Sequence, residues 1–298
     1  MPGGLHHVTA LAGPAQQNLD FYAGFLGLRL VKRTVNFDDP ATHHFYFGAR
    51  DGVPGTLVTF FPWGRFRPSR KGAGQAVAFA FRVAESSLTD WRHRASAAGF
   101  TTSGPETRFG ETVSTIFDPD GIAVELVASP GEPEGLGPLH SVTLCQSALE
   151  PTADFLAFLG FQPLQHFGER FRYQHPAGVS YLDVLHQPSA ERGKMGAGTI
   201  HHVAFATLNE ASQLDWRARL TGHGIRVSPV KDRNYFHSIY FREPGGVLFE
   251  IATPGPGFLI DEPLAELGGR LCLPPWLEPA RGALEPRLAR IHVPAALP

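Results

Sequence analysis

At 298 residues, with 43% of them hydrophobic, the chain has room for one large domain or two ordinary ones and enough apolar material for a full core. A formal net charge of −2 with scattered Lys and Arg excludes a nucleic-acid footprint, and the lack of any apolar run of about eighteen residues excludes a spanning helix. No export leader opens the sequence, and Cys145 and Cys272 are too few for a disulfide framework, so a soluble cytoplasmic protein with no membrane partner is expected.

In chain order, Leu5-His6-His7-Val8-Thr9-Ala10 reads as a strand, helical spacing follows over 14–26, and three short strands run to about 62. His43-His44 precedes Phe45-Tyr46-Phe47 in an inner hairpin strand and reads as a surface or hairpin feature rather than a metal site. Phe60-Phe61-Pro62-Trp63 either lines an apolar pocket or closes a core, and Arg65, Arg67, Arg70 and Lys71 read as a solvated loop. The pattern then repeats. Gln75-Ala76-Val77-Ala78-Phe79-Ala80 resembles His201-His202-Val203-Ala204-Phe205-Ala206, and Leu139-His140-Ser141-Val142-Thr143-Leu144 resembles the first strand. Helical stretches are predicted over 86–98, 149–159 and 209–221, the last opened by Asn209 and stopped by Gly222. Asp118-Pro119-Asp120-Gly121 and Glu243-Pro244-Gly245-Gly246 are equivalent turns, each leading into a strand that carries a glutamate, Glu125 or Glu250. Four βαβββ units result, at about 4–62, 74–128, 138–187 and 199–253, in an α+β chain. The units fall into domains 4–128 and 138–253, followed by a proline-rich extension, 254–298, with one short helix near 278–289.

Alternation along strands selects the side chains that face a cavity. Val203 and Phe205 form a bulky face with His201, whereas His202 shares a smaller face with Ala204 and Ala206; His202, not His201, should point inward. His7 groups with Thr9, and Glu250 with Leu248 and Ala252. Two imidazoles and a carboxylate from separate strands form the usual shell of a mononuclear metal with open positions. A carboxylate in an apolar strand also needs a cation or donors. Glu125 lacks both imidazoles, because Ala76 and Ser141 occupy the matching positions; it reads as the relic of a second site, satisfied by backbone or arginine.

Four βαβββ units with His, His and Glu resemble the vicinal oxygen chelate superfamily, which includes glyoxalase I, drug-resistance proteins and extradiol dioxygenases. The run Asp232-Arg233-Asn234-Tyr235-Phe236-His237-Ser238-Ile239-Tyr240-Phe241-Arg242, and the tail Leu273-Pro274-Pro275-Trp276-Leu277-Glu278-Pro279, look like the hydroquinone ring-cleaving dioxygenases within it. The resemblance implies two open mixed-sheet barrels, the active one built from units one and four, because sequential pairing would separate His7 from the other ligands. It implies Fe(II), with Mn(II) second, held by His7, His202 and Glu250. His6, Thr9, His201, Arg233 and Tyr240 match positions that support the ligands or touch substrate. His201 is the first candidate for moving protons, with His6 and His237 behind it, although alternation turns His201 away. Arg233 would stabilise oxyanionic charge and Tyr240 would donate to a phenolate; the bland alternatives are a salt bridge near Asp232 and a core tyrosine. The expected activity is Fe(II)-dependent ring cleavage of hydroquinone- or catechol-type aromatics with O2, in aromatic catabolism. The alternatives are a glyoxalase-type isomerase or thiol transferase and a metal-free binding protein. A homodimer is expected without a residue to argue it from.

Overall fold

Apolar alternation and tight turns build sixteen strands among the residues described by this computed structural model, which are 3–49, 51–64, 69–132, 134–176 and 178–294. Arg65 and Arg67 lie outside them. Unit one holds β1 (Leu5–Ala12), α1 (Ala15–Leu19, continued by a π-helical turn, Asp20–Phe25), β2 (Arg29–Asn36), β3 (Asp39–Gly48) and β4 (Leu57–Pro62). Unit two holds β5 (Gln75–Ala84), α2 (Leu88–Ala97), β6 (Thr102–Arg108), β7 (Glu111–Phe117) and β8 (Ala123–Ser129). Unit three holds β9 (Leu139–Gln146), α3 (Glu150–Phe158), β10 (Gln162–Phe167), β11 (Arg170–Gln174) and β12 (Tyr181–His186). Unit four holds β13 (Thr199–Ala206), α4 (Glu210–Gly222), β14 (Lys231–Asp232), β15 (Phe236–Arg242) and β16 (Leu248–Pro256).

Two eight-stranded sheets form, in the orders β14-β15-β16-β13-β1-β4-β3-β2 and β10-β11-β12-β9-β5-β8-β7-β6. Unit one thus shares a sheet with unit four, and unit two with unit three. The bulky faces of the strands enter one continuous core, where Phe205, Phe249 and Ile251 lie with Trp216 and Leu220 of α4. The small faces line the concave side.

The central strand pair of each sheet is bulged twice. Leu5 faces Phe205 and His7 faces Ala204, so His6 is an extra residue on β1; Thr9 faces His202 and Ala10 faces Ile200, so His201 is an extra residue on β13. In the other sheet Val77 and His140 are the extra residues. A bulge re-aims a side chain and so breaks strict alternation. The register also corrects the relic site. Glu250 faces Ala204 and Glu125 faces Ala80, so Ala78 rather than Ala76 stands where the active sheet has His202. A two-residue slip keeps every side chain on its face, so alternation could not detect it. Glu125 is satisfied by Arg108, whose Nη2 lies 2.9 Å from its Oε1.

The two equivalent turns are stitched by their own acids. Asp118 Oδ1 accepts the N–H groups of Asp120 and Ile122, and its Oδ2 accepts the Tyr22 hydroxyl from unit one. Glu243 accepts the N–H groups of Gly245 and Val247 and is capped by Gln146 and Thr152 of unit three. Burial pushes the Asp118 carboxyl up to about 7, with Asp120 adding to the rise. A raised carboxyl favours the protonated folded state. Its contribution is complete below its unfolded value near 4 and is lost as pH climbs through about 7, at a slope of about 1.4 kcal/mol per pH unit. Denaturant titrations between pH 4.5 and 8 should show this decline, and Asp118→Asn should flatten it; an unchanged slope would reject the assignment.

The C-terminal extension returns to β2. Lys32 is fully buried, with its Nζ against the carboxylates of Asp261 and Glu262 and 3.8 Å from Cys272 Sγ. Those three groups are close enough together to hold a metal ion, but Lys32 already supplies the cation. The helix expected near 278–289 is three short turns, Glu278–Ala280, Arg281–Leu284 and Glu285–Arg287, with Pro286 removing an N–H from the hydrogen-bond ladder inside the run.

Candidate metal centre

The concave face of the first sheet brings together the three residues that alternation selected. His7 Nε2 lies 3.3 Å from His202 Nε2 and 3.5 Å from Glu250 Oε2, and His202 Nε2 lies 2.9 Å from the same oxygen. Metal–ligand bonds of about 2.0–2.2 Å meeting at right angles set donor atoms about 3 Å apart, which is the size of this triangle. All three residues are buried, and Glu250 Oε2 accepts no hydrogen bond. An orphaned buried carboxylate oxygen facing two imidazole nitrogens fits a divalent ion. Burial alone would raise the Glu250 carboxyl, whereas positive charge at His7 and His202 lowers it well below the usual range; with both Nε2 atoms unprotonated, a bound ion would supply that charge.

Each candidate ligand is braced from behind. Ser238 Oγ donates to Glu250 Oε1. His6 Nε2 lies 3.2 Å from the Thr253 carbonyl, which can only accept, so His6 carries its proton there. Its Nδ1 is then an acceptor, 2.8 Å from His7 Nδ1, so His7 is protonated at Nδ1 and its Nε2 lone pair faces Glu250 and His202. His201 Nδ1 lies 2.7 Å from His202 Nδ1 in the same arrangement. Burial, reinforced by the adjacent imidazole, holds His6 and His201 at about 3 and therefore neutral. The bulges allow each neighbouring pair to meet ring to ring.

His7 and His202 line a cavity of about 430 Å³, and Glu250 is fully buried against them. Phe37, Tyr46, Phe61, Trp63 and Phe236 make the wall largely aromatic. The two readings of the 60–63 run both hold, by alternation: Phe61 and Trp63 face the cavity, and Phe60 enters the core. His201, Thr9, Arg233 and Tyr240 also line the cavity, whereas His6 sits behind His7. His237 is turned away, its ring 3.0 Å from Glu210, so it is not part of the site. His44, read from sequence as a surface or hairpin feature, is a cavity residue: its Nε2 lies 2.9 Å from Thr59 Oγ1, which in turn lies 2.7 Å from Thr9 Oγ1. Strand alternation was the signal that could have placed it, since His44 shares a face with Tyr46, opposite Phe45 and Phe47 of the core. Arg70 pairs with Glu191, as expected of a solvated loop.

The run 232–242 is built for this wall. Asp232 Oδ1 accepts the Asn234 N–H, and Asn234 takes a φ of 64°. Tyr235 donates to Asp261 Oδ2 and so anchors the turn in the Lys32 cluster. Phe236 packs 5.3 Å from the His7 ring, Ser238 reaches Glu250, and Tyr240 comes within 5.7 Å of the His202 ring. Burial, with Glu250 nearby, raises the Tyr240 hydroxyl and keeps it protonated. Arg233 Nε donates to that hydroxyl over 3.0 Å. Arg233 also makes a salt bridge, the bland alternative, but with Asp38 of unit one rather than with the neighbourhood of Asp232.

Residues 4–126 and 139–251 match the model of the Glyoxalase/Bleomycin resistance protein/Dioxygenase superfamily. The chain belongs to this superfamily. Among its members, "Putative ring-cleaving dioxygenase MhqO" of Bacillus subtilis is 40% identical over 306 residues, covering 97% of each chain. "Chlorohydroquinone/hydroquinone 1,2-dioxygenase" of Sphingobium indicum is 33% identical over 307 residues, covering 94% of each. The crystal structure of a Bacillus subtilis protein titled a putative dioxygenase superposes with a TM-score of 0.93 at 40% identity, covering 98% of each chain. Among the described residues, no helix of this superfamily member is long and apolar enough to cross a membrane.

Proposed function

We propose that the chain is a metal-dependent ring-cleaving dioxygenase acting on hydroquinone-type aromatics with O2. The observation that carries this reading is the triangle of His7, His202 and Glu250, whose two histidines line an aromatic-walled cavity large enough for a single substituted ring. Relatives named for ring cleavage, one of them for hydroquinone, support the same reaction class. His7, His202 and Glu250 would hold the ion on one face and leave positions free for two further ligands. Fe(II) fits better than Mn(II) because, when bound, it supplies a route for electrons from an electron-rich phenolate to O2, which otherwise reacts slowly with closed-shell organics.

The protein groups orient and balance charge. Tyr240, with Arg233 behind it, presents a protonated hydroxyl to a substrate oxygen. Thr9 and His44 line the same cavity, each hydrogen bonded to the buried Thr59 hydroxyl. With His202 ligating through Nε2, its Nδ1–H donates to His201 and leaves the His201 proton on Nε2, at the cavity wall, where it can serve the leaving or entering oxygen. Catechols remain within the same chemistry. The free, buried thiols of Cys145 and Cys272 suit a cytoplasmic location.

Metal analysis after anaerobic purification, with oxygen uptake on a panel of hydroquinones and catechols, tests the reading. Iron with substrate-dependent uptake supports it. Zinc or nickel with hemithioacetal isomerisation would replace it with a glyoxalase-type activity, and tight aromatic binding without metal would replace it with a binding protein. Arg233→Ala should keep its iron and lose about 10–1000-fold in kcat; loss of iron instead would make Arg233 a structural residue.

A further inference from the structure

We propose that Asp38 is a positioning residue that aims the Arg233 guanidinium at the Tyr240 hydroxyl from the opposite edge of the sheet. The inference rests on the reading of Arg233 and Tyr240 as groups that face substrate. β14 and β2 are the two edges of the first sheet, with six strands between them in its order. Its curl nevertheless brings them together at the cavity mouth. Asp38, in the turn between β2 and β3, places Oδ2 2.9 Å from Arg233 Nη2 and Oδ1 3.5 Å from Lys231 Nζ of β14. Asp38, Lys231 and Arg233 all line the cavity.

The two ends of the guanidinium have different partners: Nη2 donates to Asp38 and Nε donates to the Tyr240 hydroxyl over 3.0 Å. The backbone beneath is already fixed, since the Arg233 N–H donates to the Phe236 carbonyl and Asn234 holds the left-handed turn. What remains free is a long side chain with several rotatable bonds. Among the described residues, Asp38 is the only carboxylate that ion-pairs with it. A planar guanidinium anchored at two points has a defined direction, whereas one anchored at a single point pivots. Without Asp38 the arginine can swing toward solvent, and Tyr240 loses its donor.

The stability contribution is expected to be small, because the Asp38 side chain is 59% exposed and solvent screens such pairs. The effect should therefore appear in the chemistry. In the full-length protein, Asp38→Asn should lower kcat about tenfold with KM changed less than about threefold, metal content unchanged and Tm within about 2 °C. Asp38→Glu should recover part of the rate. Combining Asp38→Asn with Arg233→Ala should be no worse than Arg233→Ala alone, because both remove one arrangement. A second readout needs no turnover: the Arg233 Nε–H resonance, assigned by its loss in Arg233→Lys, should exchange with solvent about tenfold faster in Asp38→Asn. Unchanged exchange, or rate losses that multiply in the double variant, would overturn the inference. Faster exchange in a protein that turns over no hydroquinone would instead reject the proposed substrate and leave the aiming of Arg233 intact.

Discussion

Glu250→Gln should leave a folded protein that no longer retains its metal and whose turnover falls on the order of a thousandfold or more. The substitution keeps the shape of the side chain and removes its charge. Two neutral imidazoles remain, and the negative donor that faces them is gone. Glu250 is 0% exposed, so water cannot replace the lost charge. The measurement is metal content after gel filtration, paired with thermal unfolding with and without added Fe(II) under anaerobic conditions. The native chain should gain stability as the metal rises past its dissociation constant, by about 2.7 kcal/mol at a hundredfold excess, and the variant should gain nothing. A variant that keeps both metal and rate would remove Glu250 from the centre.

Lys32→Ala should be the most destabilising change away from the cavity. Lys32 is wholly buried between Asp261 and Glu262, and Glu262 is buried with it. Glu262 also accepts the N–H groups of Gly268 and Arg270, so it cannot turn out to solvent without undoing the extension's turn. Removing the cation strands a buried carboxylate, at a cost of about 3–5 kcal/mol, and should lower Tm by on the order of 10 °C. Tyr235 hydrogen bonds to Asp261, so the turn that carries Arg233 should loosen as well. Thermal unfolding of Lys32→Met beside Lys32→Met/Glu262→Gln is the test: the double variant should recover a substantial part of the loss. No recovery would mean that the lysine acts through packing alone.

Much of this was legible because strand periodicity and repetition are properties of local sequence. Alternation marks His7, His202 and Glu250, and the family resemblance, with its paired units and shared ligands, implies that unit one joins unit four. Three things were not legible, each for a physical reason. Bulges at His6 and His201 depend on which partner residue sits across the ladder, so His201 was expected to face away and instead lines the cavity. The ion pair of Asp38 with Arg233 joins the two edges of a curled sheet, and no local pattern records that curl. His44 gained its place through the sheet's shape as well, its ring resting 4.1 Å from Tyr46 and 4.3 Å from Phe61.

The duplicated bulges have an engineering consequence. At Val77 and His140 the second sheet keeps the backbone offsets that, in the first, let neighbouring rings meet. It also keeps an acid at 125, while Ala78, Ser141 and Arg108 stand where two imidazoles and an ion would be. Installing a twin centre there would accordingly be a matter of exchanging side chains, with the main chain left as it is.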